Sequence, residues 1–342
     1  MEPLTSNIFG RLLDGGSLPE GDAQTLFTML LTGGMHEEEI GAMLGAIAVR
    51  GPTVDELVGA ARAMRTYAMP ILLPPTGVPI LDTCGTGGAP KLFNISTIGA
   101  IVVAAAAPGR VIVAKHGNRS RTGRGSAEVL EALGVNIHAM PDVQAACVRE
   151  IGLCFAFAPD HHPATRHASA VRKKLGFPTI FNLLGPLVNP AGATRQLVGT
   201  YSIENAEKLA GALARLGTER AMVVSSRDGL DELTTTGGSV MFEVAGGRVE
   251  RSELDAAMFG IARATLAQLQ AHSLDQAVAI ARAVLAGEPG AALDIVVLNA
   301  AASLHICGVC GSIAEGLPLA REAVVSARAA KVLERFVKLT QT

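Results

Sequence analysis

The chain has 342 residues, of which 49% are hydrophobic and only 4% aromatic, with no Trp. This length suits one large domain beside a smaller one, and the composition is typical of a close-packed α or α/β protein. The 29 basic and 31 acidic residues nearly balance, which argues against a general attraction to nucleic acid or to an anionic membrane.

The chain shows no pattern typical of a membrane span or a leader. Its longest apolar run, 98–107, has about half of the roughly 20 residues that a spanning helix needs. The first ten residues lack the basic start and apolar core of a signal peptide. We therefore expect a cytoplasmic protein.

The first segment, residues 1–69, has the pattern of a small helical domain. Ser17-Leu-Pro-Glu20 and Thr53-Val-Asp-Glu56 match the capping box that opens a helix. An apolar stripe with the helical period is formed by Ile40, Met43, Leu44 and Ile47. The next stretch, 70–80, contains four prolines, which predicts a stiff linker and a hinge.

From residue 81 to 342 short apolar runs alternate with amphipathic segments. The predicted strands lie in 110–115, 153–159, 196–201 and 220–226, with a hairpin over 239–250. The predicted helices lie near 97–107, 126–134, 163–175 and 204–217. This alternation predicts an α/β fold: a central, mainly parallel sheet flanked by helices, following the all-helical N-terminal domain. Ligands of such sheets bind beyond the carboxyl ends of the strands.

The stretch LDTCGTGGAPKLFNIST, residues 81–97, has a glycine-rich turn between a strand and a helix. Glycines let backbone N–H groups approach an anion, and a helix beginning at Asn94–Thr97 adds its dipole. Pro90 stands where the third glycine of a dinucleotide fingerprint belongs, and Lys91 is not in a Walker loop. The stretch therefore fits a phosphate site, with a plain capped turn as the alternative.

The stretch AKHGNRSRTGRGSAEVLEALG, 114–134, is a basic, hydroxyl-rich loop between a strand and a helix. Such a loop in a nearly neutral protein suits several phosphate groups on one small ligand. The alternative is a solvated basic loop.

Two further stretches carry candidate chemistry. In 226–237, the adjacent Asp231 and Glu232 favour Mg²⁺ if the neighbouring loops hold phosphate, and otherwise they are solvated surface. In 157–192, three histidines lack the spacing of a zinc site, while Arg166, Arg172 or Lys173 could meet a substrate carboxylate. No arrangement for covalent catalysis is present in the pattern.

The chain has five cysteines, an odd number. Cys307-Gly-Val-Cys310 has the spacing of a redox motif, but it lies in an Ala-rich helical pattern without a second pair. We interpret these two residues as buried thiols on a packed helix.

The motifs GTGG…NIST, KHGNRS…GSAEVLEALG, VRKKLG, FNLLGPLVNPA, GLDELTTT and DIVVLNAAASL occur in this order. Together they resemble the anthranilate phosphoribosyltransferase family over nearly the whole chain. KHGN alone would also fit the pyrimidine nucleoside phosphorylases, which share the fold, whereas FNLLGPLVNPA with GLDELTTT is more specific. The resemblance implies transfer of phosphoribose from 5-phosphoribosyl 1-pyrophosphate (PRPP) to the amine of anthranilate, with release of pyrophosphate.

The resemblance also implies site residues and partners. Helices from about 163–190 would join the helical domain, through which a homodimer would form, and two Mg²⁺ ions would serve each site. The PRPP residues would be Gly85, Gly88, Asn94, Ile95, Ser96, Thr97, Lys115, Asn118, Arg119, Ser120, Gly123 and Ser126. The anthranilate residues would be Gly85, Asn118, His162, Arg172 and Gly185. The metal ligands would be Ser96, Asp231 and Glu232, with no residue acting as a nucleophile.

Two loops depart from the family pattern. GTGGAPKLFNIST is one residue shorter than the usual GTGGDGxxTFNIST, with Ala89 for an acidic residue and Leu92 for a hydroxyl residue. The second loop is also one residue shorter, although Arg124 keeps a positive charge. The departures leave two hypotheses: an ordinary enzyme with rebuilt PRPP loops, or a paralogue acting on another aromatic substrate. A protein that binds nucleic acid is a third, which the net charge of -2 disfavours.

Overall fold

Helices alone form the first part of the computed structural model, which describes residues 3–73, 77–89, 92–120 and 123–341. These helices are α1 (Pro3–Leu13), α2 (Glu20–Leu31), α3 (Glu37–Arg50) and α4 (Val54–Thr66). The capping box predicted before α4 is confirmed: Glu56 N donates to Thr53 Oγ1 at 3.3 Å, and Thr53 N donates to Glu56 Oε2 at 2.9 Å. Because this carboxylate also accepts from the buried Leu18 N, it connects α4 to the start of α2.

The other predicted capping box is wrong. Helix α2 begins at Glu20 with Pro19 as its N-cap, so Ser17 lies outside the helix. The Glu20 carboxylate does not cap; it forms ion pairs with Arg62 and Arg215. Long-range ion pairs of this kind leave no periodic pattern in a sequence, and the four-residue motif is therefore misleading here.

Seven strands form one sheet. They are β1 (Ile80–Gly85), β2 (Ile112–Gly117), β3 (Leu153–Phe157), β4 (Arg195–Gly199), β5 (Arg220–Ser226), β6 (Gly238–Ala245) and β7 (Arg248–Asp255). The order is β3-β2-β1-β4-β5-β6-β7, and the first five strands run parallel. The last two are antiparallel and turn at Gly246-Gly247, as predicted. The parallel register pairs Gly85 with Gly199, so the carboxyl ends of β1 and β4 meet at one edge.

Helices cover both faces of this sheet, and the predicted α/β fold class is confirmed. The helices after β1 are α5 (Ile95–Ala106), α6 (Ser126–Ala132), α7 (Pro141–Ile151), α8 (Ala158–His161), α9 (Arg166–Leu175), α10 (Phe181–Leu184) and α11 (Ile203–Arg215). Those after β7 are α12 (Leu266–Leu269), α13 (Leu274–Leu285), α14 (Ala291–Ile306), α15 (Ile313–Val325) and α16 (Arg328–Thr340). No helix in the described ranges has both the length and the apolar character needed to cross a membrane.

One hydrophobic core joins the helical segment to the sheet. It contains Phe27 of α2 and Leu57 of α4 together with Leu209 of α11 and Val223 of β5. Helix α9 packs against α2 and α3, and α10 packs against α4. On the opposite face of the sheet, α14 packs against α5 and β4. The division into domains at 69 and 81 stays a prediction, and Pro74–Thr76 of the proposed hinge lie outside the described residues.

The Cys307–Cys310 segment is not on a helix, which corrects the prediction. Helix α14 ends at Ile306 with Cys307 as its C-cap, and Gly308 has φ 71°. This left-handed conformation ends helices and favours glycine. Cys307 is buried as predicted, whereas Cys310 is partly exposed.

Candidate active site

A cavity of about 250 Å³ lies at the edge where β1, β2 and β5 end. Three loops surround it: the glycine-rich loop (residues 85–94), the basic loop (118–125) and the acidic loop (226–237). The predicted site residues that line it are Gly85, Gly88, Asn94, Ile95, Ser96, Thr97, Lys115, Asn118, Arg119, Ser120, Ser126, Asp231 and Glu232. The fold therefore brings together most of the residues predicted for PRPP and Mg²⁺.

The glycine-rich loop lies against the end of β4. Thr86 N donates to Gly199 O at 2.9 Å, and Gly88 has φ 97°. A Cβ on Gly88 would lie 2.7 Å from Cε1 of Tyr201, a contact that real side chains do not make. The backbone conformation thus favours glycine here, and a larger residue would also displace the Tyr201 ring, which is 43% exposed. Pro90 and Lys91, in the atypical middle of the loop, lie outside the described residues.

The first turn of α5 faces the cavity as predicted. Asn94 is the N-cap but makes no capping hydrogen bond; its Nδ2 donates to Arg124 O at 3.2 Å and so joins the two phosphate-type loops. Ser96 N donates to Glu232 Oε1 at 3.3 Å. The N-terminal N–H groups of a helix favour negative charge, and a carboxylate holds one of them here.

Lys115 supplies a buried positive charge beneath the cavity. It is 3% exposed, and its Nζ donates to Thr83 O and, at 3.3 Å, to Ser96 Oγ. Burial lowers the pKa of Lys115, while the Asp82 carboxylate acts in the opposite direction. The ammonium group is fixed between β1 and α5, where an anion in the cavity would be close to it.

The basic loop carries less uncompensated charge than the sequence suggests. The Arg119 guanidinium forms two hydrogen bonds with Glu131, at 2.6 and 2.8 Å, and Arg124 donates to Ala271 O. Gly125 N donates to Glu128 Oε2 at 2.9 Å. Gly123 does not line the cavity, and Arg121 and Thr122 lie outside the described residues.

The acidic loop presses its two carboxylates against the strand ends. A Cβ on Gly85 would lie 2.8 Å from Asp231 Oδ2, and one on Gly199 would collide with Asp231 O. Only glycines at both strand ends allow the loop to come this close. Burial and the Asp231 carboxylate raise the pKa of Glu232.

These two carboxylates fit a hard divalent cation. Burial and repulsion by Asp231 both raise the pKa of Glu232. A cation bound beside the two carboxylates would offset this repulsion. No group of three or more His, Cys, Asp or Glu side chains in the described ranges could hold a metal alone. Mg²⁺ is usually bound by one or two carboxylates plus substrate phosphates, which is the set that this cavity can offer.

The other predicted anthranilate residues lie behind the cavity and do not line it. His116, which does line it, donates from Nδ1 to Gly185 O at 3.2 Å, and its ring centroid is 5.2 Å from that of His162. Burial lowers the pKa of His116 to about 4 and that of His162 to about 3. Arg172 is further away along α9, with Cζ 4.7 Å from the ring centroid of Phe181.

Three residues near the cavity had no individual role in the sequence analysis. His116 connects the cavity to the His162 and Gly185 side, and Asp82 holds His116 N at 3.0 Å through Oδ1. Tyr201 covers Gly88. His116 could have been found from the KHGN motif that contains it. The positions of Asp82 and Tyr201 near the cavity depend on which strands pair, and this cannot be read from the sequence.

Two family models match this chain. Residues 6–68 match the helical bundle domain of a glycosyl transferase family, and residues 77–330 match the a/b domain of the same family. The anthranilate phosphoribosyltransferase of Rubrobacter xylanophilus is 46% identical over 96% of this chain and 95% of its own length.

Solved structures agree with these matches. The anthranilate phosphoribosyltransferase of Thermus thermophilus superposes with a TM-score of 0.91 at 39% identity, covering 98% of this chain and 99% of that one. The yeast enzyme in complex with PRPP and Mg has a TM-score of 0.89 at 25% identity, covering 100% and 99%. The chain, with a helical bundle, an α/β domain and a cavity of this composition, belongs to the anthranilate phosphoribosyltransferase family of glycosyl transferases.

Proposed function

We propose that this protein transfers the phosphoribosyl group of PRPP to the amine of anthranilate and releases pyrophosphate, with Mg²⁺ bound. The observation that carries the proposal is the cavity in which the acidic pair faces the start of α5 and Lys115. Oxygen ligands for a cation, backbone donors for an anion and a buried ammonium group meet there, as a magnesium diphosphate requires. Family membership narrows the substrates to those named for its relatives.

The site residues would stabilise the charges that develop as the bond to pyrophosphate breaks. As the bond from C1′ to pyrophosphate breaks, positive charge develops on the ribose and negative charge on the departing group. The dipole of α5, whose first turn lines the cavity, and the Lys115 ammonium stabilise that negative charge. Bound Mg²⁺, held by Ser96, Asp231 and Glu232, would neutralise diphosphate oxygens. No protein nucleophile is needed, because the amine of anthranilate attacks C1′ itself once it is positioned and then releases a proton to water or to the departing pyrophosphate.

Anthranilate would enter from the side of His116, with its carboxylate facing Arg172. The remaining residues proposed for it are Gly85, Asn118, His162 and Gly185. His116 donates a hydrogen bond to Gly185 O and has a neutral ring, so its Nε2 is an acceptor, and this atom is buried without a partner in the described part of the chain. A neutral ring suits an aromatic substrate that carries its charge at the other end.

We predict that Arg172→Ala raises the KM for anthranilate roughly tenfold, since a bidentate charged hydrogen bond would be lost. The KM for PRPP should change less than twofold. Initial rates at varied concentrations of both substrates measure this difference. Lys173→Ala on the same helix is the matched control, and an equal loss for both substrates would contradict the role of Arg172.

The direct test mixes the protein with PRPP, anthranilate and Mg²⁺ and follows the loss of anthranilate fluorescence. Turnover that requires all components supports the proposal, and no turnover at saturating substrates contradicts it. Turnover of another aromatic amine or acid alone would indicate a paralogue. Phosphorolysis of thymidine or uridine would indicate a nucleoside phosphorylase.

Three finer statements belong to the same proposal. We propose two Mg²⁺ ions for each site, since both Asp231 and Glu232 face the cavity. We propose a homodimer through the helical segment, where Leu13 and Val49 are 72% and 91% exposed. We also propose a cytoplasmic location, which suits five free cysteines. Metal titration, analytical ultracentrifugation and cell fractionation test these statements.

A further inference from the structure

The buried Asn299 on α14 forms two hydrogen bonds with Leu233 of the acidic loop. Its Oδ1 accepts from Leu233 N at 3.0 Å, and its Nδ2 donates to Leu233 O at 2.9 Å. The second hydrogen of Nδ2 goes to Ile295 O, one turn earlier, at 2.8 Å. Asn299 is 2% exposed, so its amide is fully used and both backbone groups of Leu233 are held by one side chain.

Helix α14 gains nothing locally from an asparagine at this position. Its neighbours Leu298, Ala300, Ala301 and Ala302 are apolar and fully buried. Asn has a lower helix propensity than Ala or Leu, and a buried amide must find partners. Two of its three side-chain hydrogen bonds go to Leu233, 66 residues away in the acidic loop, which indicates that the side chain serves that loop.

Leu233 directly follows the acidic pair. Its side chain is fully buried in a core with Leu197 and Met222 of the sheet and with Leu298 of α14. The Asn299 amide therefore fixes the peptide units on both sides of Leu233, and this leaves Glu232 little freedom at its C-terminal side. On its other side the loop lies against Gly85 and Gly199.

We propose that Asn299 is a positioning residue for the metal site: through Leu233 it sets the place of the Asp231 and Glu232 carboxylates, and hence the contribution of Mg²⁺ to PRPP binding. The inference rests on the proposed function. A preformed pair of carboxylates binds Mg²⁺ without the ordering cost that a mobile loop would add.

Two variants test this proposal. Asn299→Ala removes both hydrogen bonds to Leu233, and Asn299→Leu removes them while keeping a branched side chain and adding no charge near the acidic pair. Calorimetry measures PRPP affinity with excess Mg²⁺ and without Mg²⁺, in the absence of anthranilate. We expect the gain in affinity caused by Mg²⁺ to shrink roughly tenfold for Asn299→Ala, as the loss of about 1.4 kcal/mol requires, with affinity in the absence of Mg²⁺ unchanged.

Ser303→Ala is the matched control. Ser303 lies one turn further on α14, is equally buried, and donates to Asn299 O at 2.9 Å without touching the acidic loop. Hydrogen exchange gives a readout that does not depend on any ligand: the Leu233 amide should exchange faster in the Asn299 variants only. If Asn299→Ala does not fold, Asn299→Leu decides the outcome.

A Mg²⁺-dependent gain within twofold of the wild type in a folded Asn299 variant would overturn the proposal. So would an equal loss in Ser303→Ala, because the effect would then be one of α14 stability. Wild-type protein that binds PRPP with Mg²⁺ but consumes no anthranilate would reject the proposed function and leave the comparison of Asn299 variants intact.

Discussion

The acidic loop and the glycine-rich loop face the same cavity but are held in opposite ways. In the acidic loop, Asp228 accepts from the hydroxyls of Ser226 and Thr236, and Leu230 N donates to Ser226 Oγ at 2.7 Å. In the described part of the glycine-rich loop the anchors lie at its two ends: Thr86 N donates to Gly199 O, Leu92 bridges to Gln270, and Asn94 Nδ2 donates to Arg124 O. Fixed carboxylates suit a cation, whereas exposed amides suit an anion that must enter and leave.

The largest effect is expected from the acidic loop itself. Glu232→Gln removes a negative charge beside Asp231, and we predict a loss of kcat/KM of roughly a hundredfold or more, because metal stabilisation of the leaving group is worth several kcal/mol. The fluorescence assay measures it across Mg²⁺ concentrations. Glu250→Gln on the exposed β7 is the control. A Glu232→Gln enzyme that keeps a tenth of the wild-type activity would contradict the proposed role of the acidic loop in metal binding.

A second substitution tests whether the hydrogen bonds within the acidic loop stabilise the folded protein. Asp228→Ala leaves the Ser226 and Thr236 hydroxyls without their acceptor, and we expect the free energy of unfolding to fall by about 1–3 kcal/mol. Thermal and denaturant unfolding measure this loss. Asp228→Asn keeps one acceptor oxygen and should lose less. An unchanged unfolding midpoint for Asp228→Ala would show that the loop needs no internal anchor.

The glycine-rich loop should respond in binding and hardly in stability. Gly88→Ala places a Cβ against Tyr201 at a positive φ, and the free loop avoids this strain of about 1–2 kcal/mol by changing its conformation. PRPP binding must then restore the strained conformation, so we predict that the KM for PRPP rises roughly tenfold. Gly87→Ala is the matched control, since Gly87 also has a positive φ but no atom near its Cβ. Equal effects of the two variants would assign the loss to backbone conformation alone and remove Tyr201 from the explanation.

The smallest expected effect is a loss of stability at acidic pH, and it concerns His162, which lies behind both loops. Burial lowers the pKa of His162 to about 3, from 6.5 in the unfolded chain, so the unfolded state binds more protons between these values. The folded protein should therefore lose stability as the pH falls below about 6.5, and His162→Gln should lose less. Unfolding midpoints at pH 7 and 5 measure this, with the exposed His138→Gln as control. A parallel fall in wild type and His162→Gln would contradict it.

Much of this architecture could be predicted from local pattern. The strands, the hairpin and the start of α5 follow from apolar runs, glycines and the NIST segment, since these depend on neighbours in sequence. The pairing of Arg119 with Glu131 could not be predicted, because ion pairs across a loop have no fixed spacing. Neither could the contact of Tyr201 with Gly88, which depends on β1 and β4 being neighbours. Most residues that line the cavity could thus be predicted from motifs, whereas its charge balance could not, and the roles of these residues stay a prediction.

The core shared by the helical segment and the sheet has a consequence for how the chain can be divided. Two family models separate the segments near residue 70, yet Phe27, Leu57, Leu209 and Val223 belong to one apolar cluster. A fragment starting at residue 77 would leave the apolar sides of α11 and β5 open to water, and such surfaces promote aggregation. The two segments that the family models separate therefore share one core, and we expect them to lose their structure together and not one after the other.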